Sequence, residues 1–92
     1  MKITFDLLKR NKTLEERGLD MARALEIFDG SNFSFLDDRQ DYDEERRVTV
    51  GYLDLRMVIM VWTKRDDVLR IISLRNANER EQKIYTPRMG RS

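Results

Sequence analysis

Cysteine and histidine are both absent from this 92-residue chain, and proline occurs once. Without cysteine there is no disulfide and no thiolate nucleophile, which suits a reducing compartment. The missing histidine excludes more: a histidine-based triad, a histidine general base and imidazole metal ligands all fall away. Long apolar runs are lacking too. The longest, Met57 to Trp62, is far too short to span a bilayer, and Met1 to Asp6 carries nothing like a signal peptide. A cytoplasmic protein without membrane contact is expected. Nor is there an excess of one charge, with 18 basic residues against 17 acidic and a net charge of +1. Any contact with nucleic acid must then come from uneven placement of charge. The placement is uneven: acids crowd between Asp37 and Glu45, while from Arg56 onward bases outnumber acids.

What is present is enough for one small core. Hydrophobic residues make up 40% of the chain, and 92 residues leave no room for a second domain. Residues 1–92 are expected to form a single domain, with 86–92 as a flexible basic tail. Ile3 to Phe5 reads as a strand, after which Asp6 caps a helix with Leu7, Asn11 and Leu14 on its inner stripe. Gly18 ends that helix. Asp20 caps a second one, in which Met21, Ala24, Leu25 and Phe28 recur at i, i+3, i+4 and i+7, with Leu19 and Ala24 placed to form a staple.

The period then changes to two. Phe33 and Phe35 form a brief strand, and Arg46, Val48 and Val50 alternate with Arg47 and Thr49 on the next. Met57 to Thr63 is apolar on both faces, as in a central strand covered on both sides. Leu53-Asp54-Leu55 and Arg65-Asp66-Asp67 read as hairpin connections. The expected fold is α+β in the order β-α-α-β-β-β-β-α, an antiparallel sheet with two N-terminal helices and one C-terminal helix.

The richest stretch is Arg70 to Tyr85. Val68 to Leu74 is strand-like, and Asn78 followed by Glu81 fits a capping box that opens a helix. Arg70, Arg75 and Arg80 are thereby spread over a strand, a corner and a helix start, and guanidinium forks suit phosphate. With Arg46 on a strand of the same sheet, the set could converge on one phosphate. Metal-free cleavage of RNA needs a base for the 2′-OH, cations for the phosphorane charge and a proton for the leaving oxygen. Arginine fills the second role. The base is left to Glu45, Glu79, Glu81, Tyr85 or a lysine. The acidic cluster of Asp37, Asp38, Asp41, Asp43, Glu44 and Glu45 matches no EF-hand spacing and reads as a solvated loop. Glu81-Gln82-Lys83 has a nuclease-like Glu-x-Lys spacing that surface pairing explains as well, so neither a metal nor a cofactor is expected. Phe5, Phe28, Phe33 and Phe35 read as core; Tyr42, Tyr52, Trp62 and Tyr85 read as core or edge rather than as stacking platforms.

Three pieces in order resemble the BrnT toxins, ribonuclease halves of bacterial toxin–antitoxin pairs with a RelE-like fold. These are Phe5-Asp6, Lys9, Gly18, Ala24 and Phe28; Glu45-Arg46 through Gly51; and Arg70 to Tyr85. The chain departs from the family pattern at Glu16-Arg17 for Lys-His, at Gly30-Ser31 for Asp-Pro, at Leu74 for alanine and at Asn76 for lysine or arginine. The resemblance implies an endoribonuclease that cleaves RNA and inhibits translation; the lack of histidine, cysteine and a credible carboxylate site makes it a metal-independent one in expectation. It also implies a BrnA-like antitoxin with a ribbon-helix-helix domain, and operator DNA reached only through that antitoxin. Arg46, Arg70, Arg75 and Arg80, with Glu45 and Tyr85, are the expected catalytic set. Lys9, Arg17, Arg47 and Lys83 are expected to contact RNA. The rival reading, supported by Glu16 and Asn76, is a catalytically degenerate homologue serving as an antitoxin-binding, operator co-repressor module.

Overall fold

A computed structural model describes residues 1–39 and 43–89. Its class is α+β, with a five-stranded sheet in the order β1-β5-β4-β3-β2. The strands are β1 (Lys2–Phe5), β2 (Phe33–Leu36), β3 (Arg47–Leu53), β4 (Arg56–Arg65) and β5 (Val68–Asn76). Helix α1 (Leu7–Arg17) and a 3₁₀ helix (Met21–Asp29) separate β1 from β2, and α2 (Glu79–Tyr85) follows β5. The sheet is mixed, not antiparallel as expected. β1 runs parallel to β5, pairing Lys2 with Val68 through Phe5 with Ile71, because two helices intervene before the chain re-enters the sheet from the far edge.

Strand β4 is the centre. Met57 to Val61 are all buried, and its two faces feed two separate cores. On the helix face, Val58 and Met60 meet Leu53, Leu69, Ile71 and Leu74, and Leu19, Met21, Ala24 and Ile27 close over them. On the opposite face, Val48, Val50, Met57, Ile59 and Val61 pack with Phe33, Ile72, Tyr85 and Met89. Helix α2 buries no residue fully, so this second face has a thin cover.

The first two helices differ from their expected patterns. The second is 3₁₀ throughout, and Met21, Ala24 and Ile27 are its buried residues, spaced by three. Three residues per turn stack those positions on one line, so Leu25 falls outside and is 36% exposed. In α1, Leu7, Leu8 and Leu14 face solvent, while Lys9, Arg10, Thr13 and Arg17 face inward or reach the sheet. The reason is what α1 covers. It lies along the edge of β5 beyond the end of β1, where carbonyls need donors, not methyl groups. Lys9 Nζ donates to Ile72 O at 2.9 Å and Arg17 Nη1 to Leu74 O at 2.8 Å.

The expected caps appear: Asp6 accepts from Lys9 N, Gly18 sits at φ 70°, and Asn78 and Glu81 form the reciprocal capping box. Thr86–Arg88 forms a 3₁₀ turn and Met89 packs on the second core, while 90–92 lie outside the described residues. Among the described residues no helix is long and apolar enough to cross a membrane.

Two positions test this packing. A Cβ on Gly51 would stand 2.5 Å from Ile27 Cγ2 and 3.2 Å from Ile27 O, so the 3₁₀ helix crosses β3 where only glycine fits. Gly51→Ala should lower stability by about 1–3 kcal/mol, the usual cost of overpacking, readable as a lower denaturant midpoint. Leu55 has φ 67° in a two-residue hairpin turn and is 98% exposed. Leu55→Gly relieves the left-handed penalty without loss of burial and should raise stability by about 1 kcal/mol. An unchanged midpoint in either variant would contradict the corresponding account.

Candidate nucleic-acid interface

The thinly covered face of the sheet carries three of the basic residues expected to act, Arg46, Arg70 and Arg75. On β5, Arg70 pairs with Thr63 and Arg75 with Ile59, and both partners lie on the same face of β4 as Val61. Arg46 precedes β3 on the face shared by Val48 and Val50. Arg70 and Arg75 are five residues apart, an odd spacing that would send them to opposite faces of a regular strand. The register shifts between Val61 and Trp62: Val61 pairs with Ser73, Trp62 with Ile71, and Ile72 is the extra residue of a bulge. That one residue puts both arginines on one side.

The arginines do not converge on one point. Arg46 and Arg70 are gathered near Glu44, whose carboxyl is held below its ordinary pKa first by the hydrogen bonds from Arg65 and then by the charges of Arg65, Arg46 and Arg70. Glu44 meets Arg65 at 2.9 Å and 3.0 Å. Arg75 lies roughly 15 Å further along the strand, at about 3.3 Å per residue. There its Nη1 and Nη2 each donate to Glu81 at 2.8 Å. Arg75 is held above its ordinary pKa by those bonds, and Glu81 is pushed down to about 2 by the same bonds, helped by the backbone N–H of Asn78. Arginine thus stays cationic and the carboxylate stays anionic across all ordinary pH.

Around Arg75 and Glu81 lies a cleft of about 300 Å³. Val48, Ile59 and Val61 form its floor, Phe35 and Tyr85 its aromatic side, and Ser73 its far wall. Tyr85 stands one helical turn beyond Glu81 and so shares its side of α2. Its ring lies 5.5 Å from that of Phe33 and 6.5 Å from that of Phe35. Arg88 stacks over Phe33 at 5.0 Å. At the rim, Arg39 grips Asp37 through two bonds of 2.7 Å and 2.8 Å.

The other expected residues are elsewhere. Arg80 and Lys83 are exposed on α2. Glu45 pairs with Arg47 at 3.0 Å, and Arg47 is paired in register with Trp62 on the helix face. Lys9 and Arg17 close the β5 edge and line a second depression with Lys12, Thr13 and Glu16. The acidic cluster is not one solvated loop. The Asp37 side chain is 1% exposed, and Glu44 is half-buried against Arg65; Asp41 lies outside the described residues, as does Tyr42. Sequence reasoning missed Phe35, Asp37 and Arg39 as cleft residues. The Phe33/Phe35 alternation with Ser34 was the available signal, since it puts both rings on one face. Among the described residues no three His, Cys, Asp or Glu side chains gather where they could hold a metal ion.

A family model described as the ribonuclease toxin BrnT of type II toxin–antitoxin systems matches residues 5–81. The chain belongs to the BrnT family. The match runs from the end of β1 into α2, and so includes every cleft residue named above except Tyr85. Membership in a type II toxin family implies an antitoxin partner. Comparison with curated proteins gave no match.

The Arg75–Glu81 pair should show in acid. A carboxyl whose folded pKa is about 2, against an ordinary 4.5, adds stability that is complete above 4.5 and lost as pH falls toward 2. Thermal midpoints of the parent and of Glu81→Gln should differ at neutral pH and draw together below pH 4.5. A gap that stays constant down to the lower limit would show that the pair does not stabilise the fold.

Proposed function

We propose that this BrnT-family chain is a metal-independent endoribonuclease with a RelE-like fold, acting in the cytoplasm to inhibit translation. RNA runs along the thinly covered face of the sheet. Arg46 and Arg70 hold one phosphate, and Arg75 faces the scissile one across the cleft. The observation that carries this reading is the bulge at Ile72, which brings Arg70 and Arg75 to the same face as Arg46.

Arg75 suits the role through what Glu81 leaves unused. Glu81 takes the end-on fork of Nη1 and Nη2, and among the described residues the lateral edge of Nε and the second Nη2 hydrogen is not spent on it. A guanidinium fixed at one edge can offer the other to phosphate without losing rotamer freedom at the moment of reaction. Its fixed positive charge stabilises the phosphorane as the 2′-OH attacks and the 5′-oxygen leaves. The base for the 2′-OH belongs to the groups that line the cleft and reach its surface, Asp38, Glu81 and Tyr85, since the Asp37 carboxylate is buried under Arg39. Glu81, held at about 2, is a weak base and serves better to aim Arg75.

The partner on this reading is a BrnA-like antitoxin with a ribbon-helix-helix domain, and operator DNA is reached only through it. A second reading, a degenerate homologue that only binds antitoxin, draws on Glu81 neutralising much of the Arg75 charge.

The test is cleavage of single-stranded RNA with EDTA present. Activity should persist, and products should end in a 2′,3′-cyclic or 3′-phosphate. Arg75→Ala should slow cleavage on the order of a hundredfold, about 3 kcal/mol, as for a lost oxyanion donor. Arg75→Lys should recover only part, since it keeps the charge but not the fork. A folded Arg75→Ala variant that cleaves at the parental rate, or activity that needs added magnesium, would sink this assignment.

A further inference from the structure

Beside the arginines, the cleft presents an aromatic ring that its packing leaves partly uncovered. Phe35 lies on the edge strand β2 and is 37% exposed, although the apolar floor of Val48 and Val61 is next to it. Its ring runs within 28° of parallel to Phe33 at 6.1 Å and within 30° of Tyr85 at 6.5 Å. The three rings support one another and leave the outer ring turned to the cleft. Cations surround this group: Arg88 over Phe33, Arg75 on the opposite wall and Arg39 at the rim. An apolar floor, a flat ring and guanidinium groups at the margins match the alternation of base and phosphate along a single strand.

We infer that the cleft is a nucleobase subsite in which an unpaired base next to the scissile phosphate stacks on Phe35. The inference rests on the ribonuclease reading above and narrows its substrate class to single-stranded RNA, or to RNA that can splay a base out of its helix. A paired base keeps both faces in its own stack and cannot offer one to Phe35. Ser73 on the far wall supplies a hydroxyl at the polar margin where a base edge would lie.

The experiment uses the intact chain and a short single-stranded RNA made uncleavable by 2′-O-methyl groups, with 2-aminopurine at each position in turn. One position should be strongly quenched on binding, as stacking on an aromatic ring demands. Phe35→Leu keeps an apolar side chain against Phe33 and Tyr85 but loses the flat face. It should abolish the quench and weaken binding about tenfold, and Phe35→Trp should restore both. Replacing the quenched base by an abasic nucleotide should weaken binding to the parent by the same factor and leave Phe35→Leu unaffected. No quench at any position overturns the inference, as does equal loss on the abasic strand in parent and variant. So does unchanged RNA binding by Phe35→Leu with loss of antitoxin copurification, which would assign the rings to the protein partner. Quenching without cleavage of the unmodified RNA would instead fail the catalytic reading and leave the subsite standing. Cleavage that ignores Phe35 would do the reverse.

Discussion

A single extra residue in β5 sets the chemistry of both faces of this sheet. Ile72 has no cross-strand partner of its own, and each side chain beyond it is turned over relative to strict alternation. Before the bulge, Leu69 and Ile71 enter the helix-face core; after it, Leu74 does so, three residues on rather than two or four. The same shift carries Ser73 and Arg75 to the other face, where ordinary alternation already places Arg70. Removing the bulge would bury an arginine or expose a leucine, and either would cost more than the pairing regained. The basic face and the core are therefore specified together. The bulge also accounts for α1: the carbonyls of Ile72 and Leu74 lie beyond the reach of β1, and Lys9 and Arg17 satisfy them.

That dependence explains what could be read from the sequence. Caps at Asp6, Gly18 and Asn78 are local events, set by side chains within a few residues of the backbone groups they bind, and their residue types declare them. The double-sided burial of Met57 to Val61 was equally plain, because a central strand needs no partner's identity to be apolar throughout. Alternation failed where tertiary structure overrode it. Ile71, Ile72 and Leu74 are all apolar, and nothing in that run says which one is extra. Leu7 and Leu14 looked like a core stripe because a helix beside an edge, whose inner side must be polar, is indistinguishable from one over a face. The 3₁₀ winding of Met21–Asp29 was hidden for a similar reason: Met21 and Ala24 suit a period of 3.6 as well as 3, and only Ile27 separates the two. The arginines were legible as a set and illegible as a geometry. Their grouping depends on strand register, which the sequence of one strand does not contain.

The balance of 18 bases and 17 acids takes on a meaning once the pairs are located. Arg10 holds Asp20, Arg23 holds Glu26 and Asp54, Arg47 holds Glu45, and Arg65 holds Glu44. Apart from the part-buried Arg10–Asp20 pair, these are exposed pairs that contribute about 0–1 kcal/mol each, so they do little to hold the fold. Their effect is on the field around the chain. Pairing cancels much of the positive potential over the helix side and the hairpin ends, whereas around Arg46 and Arg70 one carboxylate, Glu44, faces several cations. A nearly neutral protein can then present one face to a polyanion without attracting it everywhere.

Arg75 and Glu81 stand apart from those pairs because their geometry is set twice. Glu81 is fixed by the backbone N–H of Asn78 at 3.0 Å while Asn78 caps the same helix through Glu81 N at 2.8 Å. The carboxylate therefore arrives at the arginine already oriented, and the guanidinium plane is fixed in turn by two parallel bonds. Lysine at position 75 would meet the same carboxylate as a point charge with free rotation about its stem, and would keep no defined second edge. The capping box that starts α2 is thus also the support for the cation in the cleft. A substitution at Asn78, outside the cleft lining, should disturb the direction of Arg75 as much as the stability of the helix. Local helix chemistry and the candidate site share the same few atoms.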